Sequence, residues 1–346
     1  MDASSLIPTP NMLPAPWWLF EALSLLTLTV HFLLISTVVG SVVILIVQRF
    51  TNSALGSIVD PLKKIIPSIF ALSVTFGVAP LLFLQVSYGH LFYSSSVLMA
   101  KAWMMIIPLL ILGYYGLYIH VRGSKKWLRT LAIIISGLFI LYIAKMFVAN
   151  MTLMVAPEKW VAYFDHRDGS FIDLSDPTFI PRFLHFFFAS LAISSIVASV
   201  LYHFKNPEQN DMVKKGLQWF GHFTVIQVLV GFWWIMALPR EIMLQFMGDS
   251  TIRTVMFVLA MLISASMLFT AYRGKLMVTF YHLIGMVVIM VFTRSLLRFS
   301  YIEDFFSYDQ FVLNGQYGVL ALFLVVFALG ILSIIWMVKA VRRANS

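Results

Sequence analysis

Nine stretches of this chain, near residues 18–47, 65–88, 97–120, 127–154, 179–203, 216–238, 251–272, 276–298 and 317–340, run through roughly twenty or more predominantly apolar residues. That is the length a helix needs to cross a bilayer core about 30 Å thick. Backbone N–H and C=O groups find no water in hydrocarbon, so each crossing segment must close its own hydrogen bonds. The predicted fold is therefore all-α: a polytopic membrane helical bundle of about nine transmembrane helices. The composition suits that solvent, with 60% hydrophobic and 11% charged residues among the 346. No connection is long enough for a separate domain, and no internal repeat or low-complexity tract is evident, so residues 1–346 read as a single membrane domain.

The basic residues set an expected orientation. Alternate connections carry Arg49, Lys63 and Lys64, then Arg122, Lys125, Lys126 and Arg129, then Lys205, Lys214 and Lys215, then Arg273 and Lys275, and finally Lys339, Arg342 and Arg343. By the positive-inside rule these face the cytoplasm, which puts the N-terminus outside and the C-terminus inside. The opposite connections are acidic, with Asp165, Asp168, Asp173 and Asp176 in one and Glu303, Asp304 and Asp309 in another. The formal charge of +9 thus reflects topology and contact with membrane lipid, and no nucleic-acid partner is expected. The first residues have no basic n-region and no clear cleavage site, so no removable signal peptide is evident. With no cysteine, this chain supplies no disulfide, iron–sulfur ligand, thiol nucleophile or covalent c-type haem attachment.

Polar side chains are costly within a bilayer, which makes the few present informative. Of eight histidines, His31, His185, His222 and His282 fall inside spans, whereas His90, His120, His166 and His203 fall at ends or in loops, where a solvated role is expected. A lone membrane imidazole more often bridges helices than binds anything. Four of them point further, because haem iron takes imidazole or thioether axial ligands from facing helices. Residue counting puts His185 near the outer face and His31 in the outer half to middle. His222 and His282 lie at similar depth in the inner half, a candidate bis-histidine site, with a quinone contact or plain packing as alternatives. Lys145, Lys101 and Arg182 are cations suited to haem propionates. Arg294 and Arg298, spaced i, i+4, suit the same purpose or snorkel to the interface. Glu21 is the only clear membrane carboxylate, which leaves a proton-consuming catalyst or proton-coupled transporter poorly equipped.

The order of motifs resembles the large, haem-bearing subunit I of cytochrome bd quinol oxidases, a family with nine spans and an outside N-terminus. HFLLISTVVG, beginning at His31, is similar to that family's histidine–phenylalanine–leucine segment. FGVAPLLFLQVSYG, residues 76–89, resembles its Gly-Val-Ala segment, with Gln85 where the family has glutamate. MFVANMTLMVAP resembles its Val-Ala-Asn segment at Val148, Ala149 and Asn150, and PRFLHFFFASL places His185 where the family ligates its low-spin b haem. The resemblance implies His31 and His185 as axial ligands, and IRTVMF at the start of the seventh span implies Met256 as a methionine partner. It covers residues 18–240, and residues 241–346 diverge.

Several departures qualify what is carried over. The family's long quinol-binding loop after the sixth span is here the short PREIMLQFMGDST, its paired glutamates in the third span meet the uncharged MMIIPLLILGYYG, and its Gly-Arg-Gln-Pro-Trp segment is replaced by TRSLLRFSY. The expected function is a haem-b-binding electron-transfer subunit of a respiratory complex in the bacterial cytoplasmic (inner) membrane. It exchanges electrons with a cytochrome c or another redox subunit and sits beside a second membrane subunit. The alternatives are a reduced cytochrome bd-type terminal oxidase and a haem-free transporter or structural subunit.

Overall fold

The computed structural model describes residues 6–51, 55–165, 167–205, 208 and 210–344, and among these there are nine helices long and apolar enough to cross a membrane. They are α1 (Trp17–Phe50), α2 (Ile66–Leu98), α3 (Ala100–Arg122), α4 (Lys126–Met154), α5 (Phe179–Lys205), α6 (Asn210–Met236), α7 (Thr251–Tyr272), α8 (Leu276–Ile302) and α9 (Tyr317–Ala344). The all-α bundle expected from the apolar runs is the observed architecture, with no strand among the described residues.

Two boundaries differ from the apolar runs by more than four residues. α2 continues ten residues beyond the expected end at Tyr88, through a kink at that residue (φ −131°, ψ 28°), and leaves only Met99 before α3. α6 begins at Asn210, on a polar turn that hydropathy does not register. The first shift corrects the expectation for His90. It lies inside α2 at 7% exposure, against the ring of Phe306, so it is not a solvated loop residue. His120 is also buried, at 3%, with Nδ1 2.9 Å from the carbonyl of Arg129 across the tight α3–α4 turn. His203 is exposed as expected, and His166 lies outside the described residues.

Helices α1–α4 pack in a ring, α1 against α2, α2 against α3, α3 against α4 and α4 against α1, and α5–α8 repeat that order. The rings join through α1 against α5, flanked by α1 against α8 and α4 against α5. Four crossings separate equivalent helices, so α1 and α5 run in the same sense and the halves are related by a pseudo-twofold axis along the bundle. Small residues allow the central crossing. The Ser41 and Ser194 hydroxyls are 2.8 Å apart, and a Cβ added to Gly40 would lie 2.7 Å from that of Ser194 and closer still to the Ser190 carbonyl. The core of buried Val, Ile, Leu and Phe runs along this seam. α9 stands apart, with none of its crossing segment buried against the bundle.

One end of the bundle is closed by two connections. Residues 155–178 are held by three short turns in which Asp168, Asp173 and Asp176 each accept from the backbone N–H and hydroxyl of the Ser or Thr two residues later. Lys159 bridges Asp173 (2.5 Å) and Asp176 (3.0 Å), and Lys101 pairs with Asp168 (2.7 Å). Lys101, expected to serve a propionate, is exposed and engaged by that carboxylate. The segment before α1 pairs with the one before α9, Leu13 donating to Val312 and Asn314 donating to Leu13.

Candidate cofactor site

His31 projects from α1 onto α2, where its Nδ1 is 2.7 Å from the Ser73 carbonyl. His185 projects from α5 onto α6, where its Nδ1 is 3.2 Å from the Gln227 carbonyl. The sequence separation is 42 residues in both cases. One turn beyond each carbonyl is a glycine that faces the imidazole, Gly77 and Gly231 respectively. The two halves thus hold their histidines in the same way. Because a carbonyl only accepts, the neutral ring carries its proton on Nδ1 and keeps the Nε2 lone pair free for another partner. At His185 that lone pair faces the Gln227 side-chain amide at 3.4 Å, a contact long enough to give way readily.

His185 lines a cavity of about 180 Å³ among α1, α5, α6, α7 and α8. The walls are mostly apolar and include Met261, Met267, Met286 and Met290. The polar groups on them are unusual in lacking partners. Trp234 Nε1 and Thr293 Oγ1 are buried with no hydrogen bond, and Arg294 lines the same cavity with no ion pair or hydrogen bond among the described residues. Arg182, one turn before His185, is buried under Trp234 with its guanidinium 5.3 Å from the ring centre. It donates to Thr152 (2.8 Å) and Thr178 (3.2 Å), but Nε is unsatisfied and no carboxylate pairs with it.

The nearby acid is already committed. Glu21 accepts from Arg298 at 3.1 and 3.3 Å, from Tyr88 at 2.7 Å and from Ser295 at 3.1 Å. Arg298 also lies over the Tyr88 ring at 4.3 Å, and the Tyr308 hydroxyl is 2.8 Å from that of Tyr88. Arg298 is therefore engaged within the protein, whereas Arg182 and Arg294 bring two uncompensated cations close to one another and to the cavity. Lys145 is half-buried in α4 and also has no hydrogen-bonding partner among the described residues.

The remaining candidates sit elsewhere. His222 is exposed on α6 beside Trp219 and Tyr272, and His282 on α8 faces Ser266 at 3.5 Å. α7 packs against both of their helices, and neither ring is in the cavity wall. With α6 starting at Asn210, His222 is also farther from its helix start than His282 is from Leu276. Met256 is half-buried on α7 and does not line the cavity. Gln227, Gly231, Trp234 and Thr293 enter the site without having stood out in the sequence. Gln227, Gly231 and Trp234 fall on one strip of α6 at helical spacing, a signal that becomes meaningful only once His185 is placed against that strip.

Among the described residues no three His, Cys, Asp or Glu side chains converge as metal ligands. A cofactor that brings most of its own donor atoms needs only one imidazole, and His185 offers it. No family model matches this chain, and comparison with curated proteins and with solved structures yields no match either.

Proposed function

We propose that this chain is a haem-b-binding electron-transfer subunit, a divergent relative of the large subunit of cytochrome bd oxidases. It works in a bacterial cytoplasmic membrane with a cytochrome c or another redox subunit as partner, with the acidic connections outside and the basic ones in the cytoplasm. One observation carries the reading: a carbonyl-oriented imidazole and unpartnered cationic and neutral donors face a single apolar cavity. Haem has the matching chemistry, with an iron for one imidazole, an apolar ring and two carboxylates, and it supplies one-electron transfer when bound.

The protein's own residues divide the work. The Gln227 carbonyl fixes the tautomer and rotation of His185, and the Gln227 amide swings aside to free Nε2. Arg294, Trp234 Nε1 and Thr293 Oγ1 would hold the carboxylates of a bound haem, with the buried Arg182 adding positive potential beside them. Helices α5–α8 exclude water, which strengthens these interactions. His31, with its own carbonyl and glycine, is the candidate for a second such ligand in the other half.

Visible spectra of the purified protein test the proposal. A pyridine haemochrome of b type is expected, and His185→Ala is expected to remove a low-spin signal while His31→Ala alters a different one. A colourless preparation from haem-replete membranes would overturn the reading in favour of a haem-free transporter or structural subunit. A carbon monoxide difference spectrum separates electron transfer from oxygen reduction. The single membrane carboxylate, already paired with Arg298, favours electron transfer.

A further inference from the structure

Away from the cavity, the basic end of the bundle gathers charges from three elements around one buried imidazole on a fourth. His120 closes α3, Arg129 opens α4, Arg49 ends α1, and Lys63 follows the short turn at Asp60–Leu62. Arg49, Arg129 and Lys63 are all within electrostatic range of His120. Arg129 Nε donates to the His120 carbonyl at 2.8 Å while the His120 ring contacts the Arg129 carbonyl, so this turn is held from both sides. Lys63 pairs with Asp60. That leaves the terminal nitrogens of Arg129 and the whole guanidinium of Arg49 without a hydrogen bond or ion pair among the described residues. Like charges gathered at one end of a bundle repel, and an arginine fork is shaped for phosphate oxygens.

We infer that Arg49 and Arg129, with the Asp60-paired Lys63 beside them, form a seat for a phosphate group, presented by an anionic phospholipid headgroup. The flanks distinguish this from a site for a soluble ion. Phe50, next to Arg49, is 73% exposed, and Trp127, two residues before Arg129, is 64% exposed. These rings extend beside the cations where glycerol and the first acyl carbons of a seated lipid lie, and tryptophan favours that level of a membrane. The seat lies at the ends of α1 and α4 and beside the turn that leads into α2, so an occupant bridges α1 and α4 in the half that carries His31.

The test uses the full-length protein, delipidated in detergent, with native mass spectrometry after addition of phosphatidylglycerol, phosphatidylcholine or inorganic phosphate alone. The wild type is expected to retain phosphatidylglycerol preferentially. An Arg49→Gln/Arg129→Gln variant is expected to retain it about thirtyfold more weakly, from about fivefold for each basic residue near a membrane surface. Lys214→Gln/Lys215→Gln removes two exposed cations from the same end and is expected to keep wild-type retention. Equal retention by the first variant, or equal loss in the second, overturns the seat. Inorganic phosphate that stays bound where phosphatidylglycerol does not overturns the lipid assignment. Hydrogen exchange on the wild type gives a reading that needs no variant. Amides 118–130 are expected to slow in nanodiscs containing phosphatidylglycerol relative to phosphatidylcholine alone, and unchanged rates overturn the proposal.

Discussion

An imidazole is oriented by the group behind it, and on the proposed haem function that group decides whether it can serve as a ligand. At His31 and His185 that group is a main-chain carbonyl, which no side-chain substitution removes, so the neighbouring glycines are the accessible handle. An added Cβ at Gly77 would stand 2.6 Å from Cε1 and 2.7 Å from Nδ1 of His31, whereas at Gly231 the nearest atoms of His185 are 3.2 and 3.3 Å away. The first pair must separate and the second needs only a small adjustment. Gly77→Ala is therefore expected to push the His31 ring off the Ser73 carbonyl, at a cost of about 1–3 kcal/mol for overpacking. Its visible and paramagnetic signature should change, while Gly231→Ala leaves that of His185 nearly intact. Thermal unfolding with parallel spectra checks both. Equal effects would mean that the two imidazoles are not held as the distances imply.

Between helices, the Glu21–Arg298 pair joins the start of α1 to the end of α8, and Tyr88 at the kink of α2 joins α2 to both. Removing one charge of such a pair strands the other, whereas replacing both with apolar groups does not. Glu21→Gln is expected to cost about 3 kcal/mol, and Glu21→Leu with Arg298→Leu to cost less than that single change, measured by unfolding in detergent. A larger loss in the double variant would assign the pair a role beyond mutual neutralisation. In the 155–178 connection, burial pushes the Asp173 and Asp176 carboxyls up, but hydrogen bonds to Lys159 and to Ser175 or Thr178 outweigh it and hold both below the usual range. Lys159 is held above its usual value by the same two partners, against the opposing effect of burial. Depressed carboxylates contribute stability above their unfolded pKa of about 3.9, and lose it as pH falls through the folded value. The raised lysine contributes below its unfolded value of about 10.4 and loses it as pH rises past its folded one. Protection of amides 157–178, corrected for intrinsic exchange, is expected to be flat at neutral pH and to fall in acid below about pH 4. Lys159→Ala should lower the neutral plateau.

Over the whole molecule, hydropathy located the apolar helices because length and apolar content are written locally, residue by residue. It missed the continuation of α2 through residues 89–98, where burial of Tyr88, His90 and Phe92 under the 305–311 connection sustains a helix that apolar content alone does not mark. His31, His185, Arg182 and Arg294 were legible as side chains out of place in lipid. The Ser73 and Gln227 carbonyls were not, since a backbone acceptor leaves no trace in composition. The repeat was hidden because few equivalent positions keep their identity; among them His31 with His185, Phe32 with Phe186, Ser36 with Ser190 and Gly77 with Gly231 lie at the imidazoles or the central crossing. That equivalence makes the α1–α5 seam the place where both halves can be disturbed at once. A side chain at Gly40 meets the Ser190 carbonyl and Ser194 Cβ, neither of which can rotate away, so Gly40→Val must part the helices. Both His31 and His185 lie on this pair, on the same side of the crossing in sequence. Gly40→Val is expected to perturb both histidine-dependent signals together and to lower the unfolding temperature. Gly285→Val, on α8 where an added Cβ meets nothing within 4 Å, should leave both signals unchanged. If Gly40→Val altered only the His31 signal, the halves would be independent units in contact, and the seam would not set the geometry of both sites.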